Sequence, residues 1–163
     1  MLLAAFVASV TLIVAAAEYT VLAPGRSSPI ESTLVIDFGT DNPSFMPGHT
    51  LNFTEAHGEW SYTVSNSSVS EYIFSNVNIT NDNVWSLMQA SSIAMKSATG
   101  VNITFKSSYF PSFGESLITG IQGVNNTSTL FWQYTVNGQP ALYGVQLEKL
   151  KQGDVVVWSM SPA

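Results

Sequence analysis

Short segments in which apolar and polar residues alternate make up most of the chain from about residue 33 onward. In Glu59–Val64, for example, Trp60, Tyr62 and Val64 fall on one side and the residues between them on the other. A two-residue period belongs to a strand with one buried face, and clusters of Gly, Pro, Asn or Ser bound these segments. We therefore predict a mainly β chain that forms a compact antiparallel β-sheet or sandwich domain.

The same pattern predicts strands at Thr33–Phe38, Thr50–Thr54, Glu59–Val64, Tyr72–Thr80, Val101–Lys106, Leu117–Ile121, Leu130–Val136, Ala141–Gln146 and Val155–Ser159. The alternation changes phase near Asn76, as at a β-bulge. Asn137-Gly138 predicts a type I′ hairpin turn, which needs positive φ at both central residues. Lys151–Asp154 predicts a second tight turn.

One short helix interrupts the strands. Asn83 is a favourable N-cap, apolar residues recur at helical spacing from Val84 to Met95, and Gly100 supplies a stop. We predict a helix between Asn83 and Gly100.

The segment Leu2–Ala17 is uncharged and apolar. It is shorter than the roughly 20 residues of a membrane-spanning helix, and the small residues at its end resemble a signal-peptide cleavage site. Alternatively, its two-residue alternation suits a retained strand donated to a neighbouring subunit, through Phe6, Val10, Leu12 and Val14. We divide the chain into this segment (1–17), a Pro-, Gly- and Ser-containing linker (18–32) and a β domain (33–163).

Length, net charge and cysteine content exclude several classes of function. The 163 residues suit one domain, and a net charge of −6 disfavours binding to nucleic acid or anionic membranes. The chain has no cysteine, so disulfides and thiolate chemistry are excluded.

Six Asn-x-Ser/Thr triplets predict N-linked glycans, at Asn52, Asn66, Asn78, Asn102, Asn125 and Asn126. The last two overlap, so we expect one of them to be used. With only 10% charged residues, the chain would gain from glycans the hydrophilic surface that charges usually provide.

The densest polar cluster, Glu55-Ala56-His57-Gly58-Glu59 with His49 upstream, is a candidate for acid/base chemistry or metal ligation. A hairpin turn with Gly58 at the bend is the simpler interpretation. No nucleophile elbow, P-loop or dinucleotide fingerprint occurs. We predict no enzymatic activity, no metal site and no cofactor.

The C-terminal half contains NVWSLMQASS, NITFKSSYFPSFGESLITGIQGV and FWQYTVNGQPALYGVQLEKLKQGDVVVW in succession. Over residues 83–162 this order resembles the transcobalamin-like C-terminal domain family, which occurs in vitamin B12 carriers and as stand-alone exported modules. The resemblance implies an antiparallel sheet with one helix across it. Trp132, Tyr134, Tyr143 and Trp158 are then candidates for a ligand face, although aromatic residues on paired strands also serve sheet packing.

Two functions follow for a protein that we expect to be extracellular or at the cell surface. The first is a structural subunit of a glycosylated filament, similar to donor-strand filaments, in which copies polymerise head to tail. The alternative is a secreted small-ligand-binding or adhesion module of the transcobalamin-like type.

Overall fold

The computed structural model describes residues 28–111 and 115–162. Within these ranges the chain forms, in order, β1 (Ile30–Gly39), β2 (His49–Ala56), β3 (Glu59–Asn66), β4 (Ser70–Ile79), α1 (Val84–Thr99), β5 (Phe105–Phe110), β6 (Glu115–Ile121), β7 (Val124–Asn125), β8 (Leu130–Val136), β9 (Gln139–Pro140) and β10 (Val155–Pro162). The predicted mainly β fold with one helix is confirmed. β1 begins at Ile30, so residues 30–32 of the predicted linker belong to the domain.

Seven strands form the main sheet, in the order β3-β2-β4-β1-β10-β8-β9, and β5-β6-β7 form a smaller one. The main sheet is mixed rather than wholly antiparallel, because β1 runs parallel to β10 and β2 parallel to β4. The second parallel pair arises where residues 67–69 cross the start of β2. There Ser67 N donates to Gly48 O, and Gly48 N donates to Ser70 Oγ.

Alternating residues of the main sheet share one buried face, which we call the inner face. Leu34, Ile36 and Phe38 of β1 lie there, beside Tyr72 and Phe74 of β4. The pairing register continues this face to Leu51 and Phe53 of β2 and to Val156 and Trp158 of β10. A single strip of apolar side chains therefore crosses the sheet and forms the core.

The predicted phase change in β4 is confirmed as a bulge. Asn76 has φ 54°, and the pairing with β1 shifts between Ser32 and Leu34. The extra residue returns Val77 and Ile79 to the inner face, where both are buried.

The helix is confirmed with both of its ends. Asn83 Oδ1 accepts a hydrogen bond from Ser86 N at 2.9 Å, and Gly100 adopts a left-handed conformation with φ 80°. α1 lies on the inner face and packs mainly against β4, β3 and β1.

Both predicted turns are confirmed. Asn137 and Gly138 have φ of 52° and 77°, so the chain reverses tightly from β8 into β9. Lys151–Asp154 closes through a hydrogen bond from Asp154 N to Lys151 O.

Two predicted strands are wrong in place. In the predicted strand Val101–Lys106, regular strand structure begins only at Phe105. Ser92 Oγ of α1 accepts a hydrogen bond from Ile103 N and donates one to Ile103 O, so the backbone of Ile103 is paired without a neighbouring strand. Ala141–Gln146 is a loop. The first N–H groups of a helix have no partner within the helix, and Val145 O of this loop accepts a hydrogen bond from one of them, Trp85 N of α1.

Candidate functional site

A cavity of about 470 Å³ opens beside the end of the main sheet that α1 leaves uncovered. Its walls come mainly from β6, β8, the end of β9, β10 and the loop 141–145. We call it the aromatic cavity, because its lining includes Phe131, Trp132, Tyr134, Tyr143 and Trp158. Glu115, Leu117, Leu142 and Gly144 also line it.

The four residues that the sequence singles out as a candidate ligand face all line this cavity. Tyr134 and Trp158 face each other on paired strands with ring centroids 4.7 Å apart. Tyr143 reaches the same space from the loop. The structure thus brings Trp132, Tyr134, Tyr143 and Trp158 together, although they come from three separate segments.

Trp132 is the most firmly anchored of the four. Its Nε1–H donates to Val124 O of β7 at 2.9 Å, and its own backbone N donates to Asn126 Oδ1 at 2.8 Å. Its ring meets Phe38 edge to face at 5.6 Å. With only 5% of its surface exposed, Trp132 joins the two sheets and forms the floor of the cavity.

The loop is held over the cavity at two points. The Tyr134 hydroxyl donates to Tyr143 O at 2.6 Å, and Trp85 N donates to Val145 O at 2.9 Å. The side chains of Leu142 and Tyr143, at the start of this loop, are 84% and 59% exposed. Large apolar groups around an opening are unusual on a free surface, so the rim is suited to contact a ligand.

The electrostatics of the cavity are acidic. Burial raises the pKa of Tyr134 above its ordinary value, and the charges of Glu148 and Glu115 raise it further. Two polar atoms at this end of the domain are enclosed without a hydrogen-bond partner, Trp158 Nε1 and Glu148 Oε2. The cavity wall therefore combines aromatic side chains, the Glu115 carboxylate and Trp158, whose enclosed Nε1–H has no partner.

Sequence reasoning missed Glu115 and Gly144. The signal for Glu115 was faint, because a single acidic residue in an uncharged stretch gives no pattern. Gly144 matters through its missing side chain: a Cβ atom there would lie 2.8 Å from Glu115 Cδ. Only the folded chain places the two together.

The polar cluster around His57 forms a hairpin turn. His57 and Gly58 have φ of 55° and 81° and connect β2 to β3, and Glu55, His57 and Glu59 are exposed. In the part of the chain that the structure describes, no group of three or more His, Cys, Asp or Glu residues is arranged to hold a metal.

Most of the sequon asparagines are accessible. Asn66, Asn78, Asn102 and Asn125 are exposed, and Asn52 and Asn126 are partly buried. In the overlapping pair, Asn125 Oδ1 accepts from Lys106 Nζ, and Asn126 Oδ1 accepts from Trp132 N. Glycan attachment at these positions remains a prediction.

Phe6, Val10, Leu12 and Val14, predicted to contact a neighbouring subunit, lie outside the described residues. The described ranges contain no helix with the length and apolar character that crossing a membrane requires.

Comparison with known proteins gives one family match. Residues 81–161 match the family described as a domain of unknown function (DUF4430). A search of curated proteins gives no match.

Among solved structures 16 chains match, including haptocorrin in complex with Cbi. That alignment has 17% sequence identity and a TM-score of 0.49, and it covers 83% of this chain and 25% of the haptocorrin chain.

The matched stretch contains α1 and all the residues that line the aromatic cavity. It nearly coincides with residues 83–162, which resemble the transcobalamin-like family. The chain is therefore similar to the DUF4430 family over the half that carries the cavity.

Proposed function

We propose that the protein is a small-ligand-binding module and that the ligand occupies the aromatic cavity. The observation that carries this proposal is the cavity itself: about 470 Å³, open at one side and lined by aromatic side chains from three segments. Small-molecule sites are typically concave, of roughly 300–1,000 Å³, and mainly apolar with a few polar groups. The aromatic cavity has each of these properties.

The site is built on rigid elements. Its floor lies on paired strands β8 and β10, and Trp132 is anchored to β7 through its indole N–H. A site whose side chains are already held in place loses little conformational entropy on binding. The cavity is thus suited to bind without rearrangement of its floor.

The proposed role is binding without catalysis. The best acid/base candidates in the sequence, Glu55, His57 and Glu59, lie on an exposed turn at a different strand pair from the cavity. Within the cavity, the aromatic rings and one carboxylate offer contacts and charge but no nucleophile with a partner base.

An extracellular location remains part of the proposal. It is supported by the exposed sequons at Asn66, Asn78 and Asn102 and by the scarcity of charged residues. These glycans would solvate strand and loop surfaces away from the aromatic lining.

The filament subunit is the second candidate, and one observation favours it. β3 is an eight-residue strand at the edge of the main sheet, and an edge strand offers backbone groups to a donated strand. Intact mass and protease protection of residues 1–17 in isolated assemblies test this candidate. A monodisperse monomer that begins at Glu18 would eliminate it.

Ligand binding is tested through the four tryptophans, whose indole N–H groups give separate NMR signals. Trp132 and Trp158 line the cavity, whereas Trp60 and Trp85 do not and act as internal controls. Titration with 4-tert-butylphenol and with cobinamide should shift the Trp132 and Trp158 signals saturably with at least one probe. If neither probe moves these two signals, the proposal fails.

A matched pair of variants locates the site. Ala141→Phe fills part of the cavity and should abolish the shifts, whereas Ala56→Phe places the same ring at the exposed end of β2 and should leave them unchanged. Equal binding by both variants would place the ligand elsewhere.

A further inference from the structure

We infer that the aromatic cavity selects ligands that carry a small organic ammonium group together with an acceptor oxygen. The inference rests on the proposed function, since it names the chemical class that the same cavity would bind. It is carried by the Glu115 carboxylate and the aromatic side chains in the cavity wall, by the unpaired indole N–H of Trp158, and by a second carboxylate, Glu148, which lies outside the lining but acts on Tyr134.

The first carboxylate belongs to Glu115, which lines the cavity. It packs against the backbone of Gly144, where a Cβ atom would lie 2.8 Å from Glu115 Cδ. Any larger residue at position 144 would displace the carboxylate. The close approach therefore keeps a negative charge in the cavity wall.

The second carboxylate belongs to Glu148, four residues after Gly144. Its Oε2 is enclosed and has no hydrogen-bond partner. Leaving a charged oxygen unpaired away from water costs free energy unless a cation or donor approaches it. A cation or a hydrogen-bond donor close to Glu148 would therefore be stabilised.

The protein itself does not supply that group in the described ranges. The one ion pair there joins Lys149 to Asp82 at 2.6 Å, and Lys106 Nζ donates to Asn125 Oδ1 instead. Neither cation pairs with Glu115 or Glu148. A cationic ligand would neutralise charge that the described chain leaves uncompensated.

Both carboxylates act on the same aromatic residue. Their charges add to the effect of burial in raising the pKa of Tyr134, so their field reaches the ring that faces Trp158. The faces of Trp and Tyr rings attract cations, and quaternary ammonium ligands in particular. Carboxylate charge and ring faces therefore favour the same ligand group.

Trp158 accounts for the preference for an acceptor oxygen on the ligand. It is only 2% exposed, it lines the cavity, and its Nε1–H has no partner. An indole N–H is a donor only, so it requires an acceptor. An ether, hydroxyl or carbonyl oxygen on the ligand would satisfy it, which a purely hydrocarbon cation would not.

Choline and 3,3-dimethylbutan-1-ol form a matched pair of probes. They share the hydroxyl and the shape, and differ in whether the branched centre is a charged nitrogen or a neutral carbon. Titrated against the full chain and followed by the Trp132 and Trp158 indole signals, choline should bind about tenfold more tightly. Equal or weaker binding of choline would overturn the inference, while binding of the neutral alcohol would leave the proposed function standing.

Carboxylate variants test the source of that preference. Glu115→Gln and Glu148→Gln keep the side-chain size and should each reduce choline affinity about fivefold or more, with little change for the neutral alcohol. Glu59→Gln makes the same change of net charge on the exposed β2–β3 turn and should leave choline binding unchanged. Equal losses in all three variants would show a general charge effect and overturn the inference.

Two further outcomes are decisive. A choline-dependent shift confined to Trp60 and Trp85 would place the cation outside the cavity and overturn the inference. If choline binds no better than the alcohol while 4-tert-butylphenol still shifts Trp132 and Trp158, the cavity is a ligand site of another class, and only the inference fails.

Discussion

The two ends of the inner face of the main sheet are built in opposite ways. At the β2–β4 end, Phe53 stacks on Phe74 with centroids 4.4 Å apart, and α1 covers the strands. At the β10–β8 end, Tyr134 and Trp158 face a cavity instead of a helix. The strands on both sides carry apolar residues at the same alternate positions.

The difference teaches that alternation in the strands does not determine whether a face becomes core or site. What decides it is the covering element. A 16-residue helix fills one end, whereas a loop attached through Tyr143 O and Val145 O spans the other and leaves space beneath it. Three changes test this contrast, and a fourth tests the outer face of the same sheet.

The largest effect is expected at the covered end. Phe74→Ala should lower the free energy of unfolding by about 3–5 kcal/mol, because it removes a fully buried ring from a close-packed layer. Chemical denaturation measures the loss. Ile73→Ala, on the opposite and partly exposed face of β4, is the control and should cost clearly less. Similar losses for the two variants would contradict the assignment of the faces.

The next largest loss of stability is expected at the N-terminus of α1, the helix that covers one end of the sheet. Asn83→Ala removes the N-cap bond to Ser86 N and should cost about 1 kcal/mol in denaturant unfolding. Asn81→Ala, an exposed residue two positions earlier, should be nearly neutral. If Asn83→Ala were neutral as well, the cap would not contribute to helix stability.

A smaller effect is expected at the cavity. Tyr134→Phe removes the hydroxyl that donates to Tyr143 O and should cost about 0.5–1.5 kcal/mol. Hydrogen exchange should become faster in the 141–145 loop and stay unchanged in α1. Uniform acceleration across the domain would mean that the hydroxyl stabilises the whole fold and not the loop alone.

The smallest effect concerns the outer face. Glu71 lies directly opposite Asp37 on paired strands, and burial together with the Asp37 charge raises the pKa of Glu71. Because the folded-state pKa is raised, stability is lost as pH rises through it. Glu71→Gln should therefore stabilise the protein at neutral pH by about 0.5 kcal/mol.

That gain should disappear below pH 4.5, the ordinary pKa of the glutamate, where Glu71 is protonated in both the folded and unfolded chain. Thermal unfolding at the two pH values measures the difference. A gain that does not depend on pH would come from the amide itself and not from relief of charge repulsion.

Local chemistry made much of the fold predictable. Asn83 and Gly100 delimit α1, and Asn137-Gly138 forms the turn between β8 and β9. The phase change at Asn76 marks the bulge in β4. Each of these features depends on residues close in sequence. The four aromatic candidates could also be identified, because alternation places Trp132 and Tyr134 on one face and the resemblance to a known family singles out this region.

The rest depended on contacts between distant segments. The parallel pairing of β2 with β4 follows from a connection that crosses a strand, which no local pattern encodes. Residues 141–146 have strand-like composition, yet the first turn of α1 engages the loop at Val145 O. The carboxylate of Glu115 enters the cavity because a glycine 29 positions later makes room for it.

The central position of β1 has a consequence for biosynthesis. β1 pairs with β10 from Thr33, opposite Val155, to Asp37, opposite Ser159. Pairing of strands so far apart in sequence is slow and comes late in folding. As the chain emerges from the ribosome, β1 therefore lacks one of its two neighbours until residues 155–162 have been made. The domain would remain open during synthesis and would expose its central strands to chaperones.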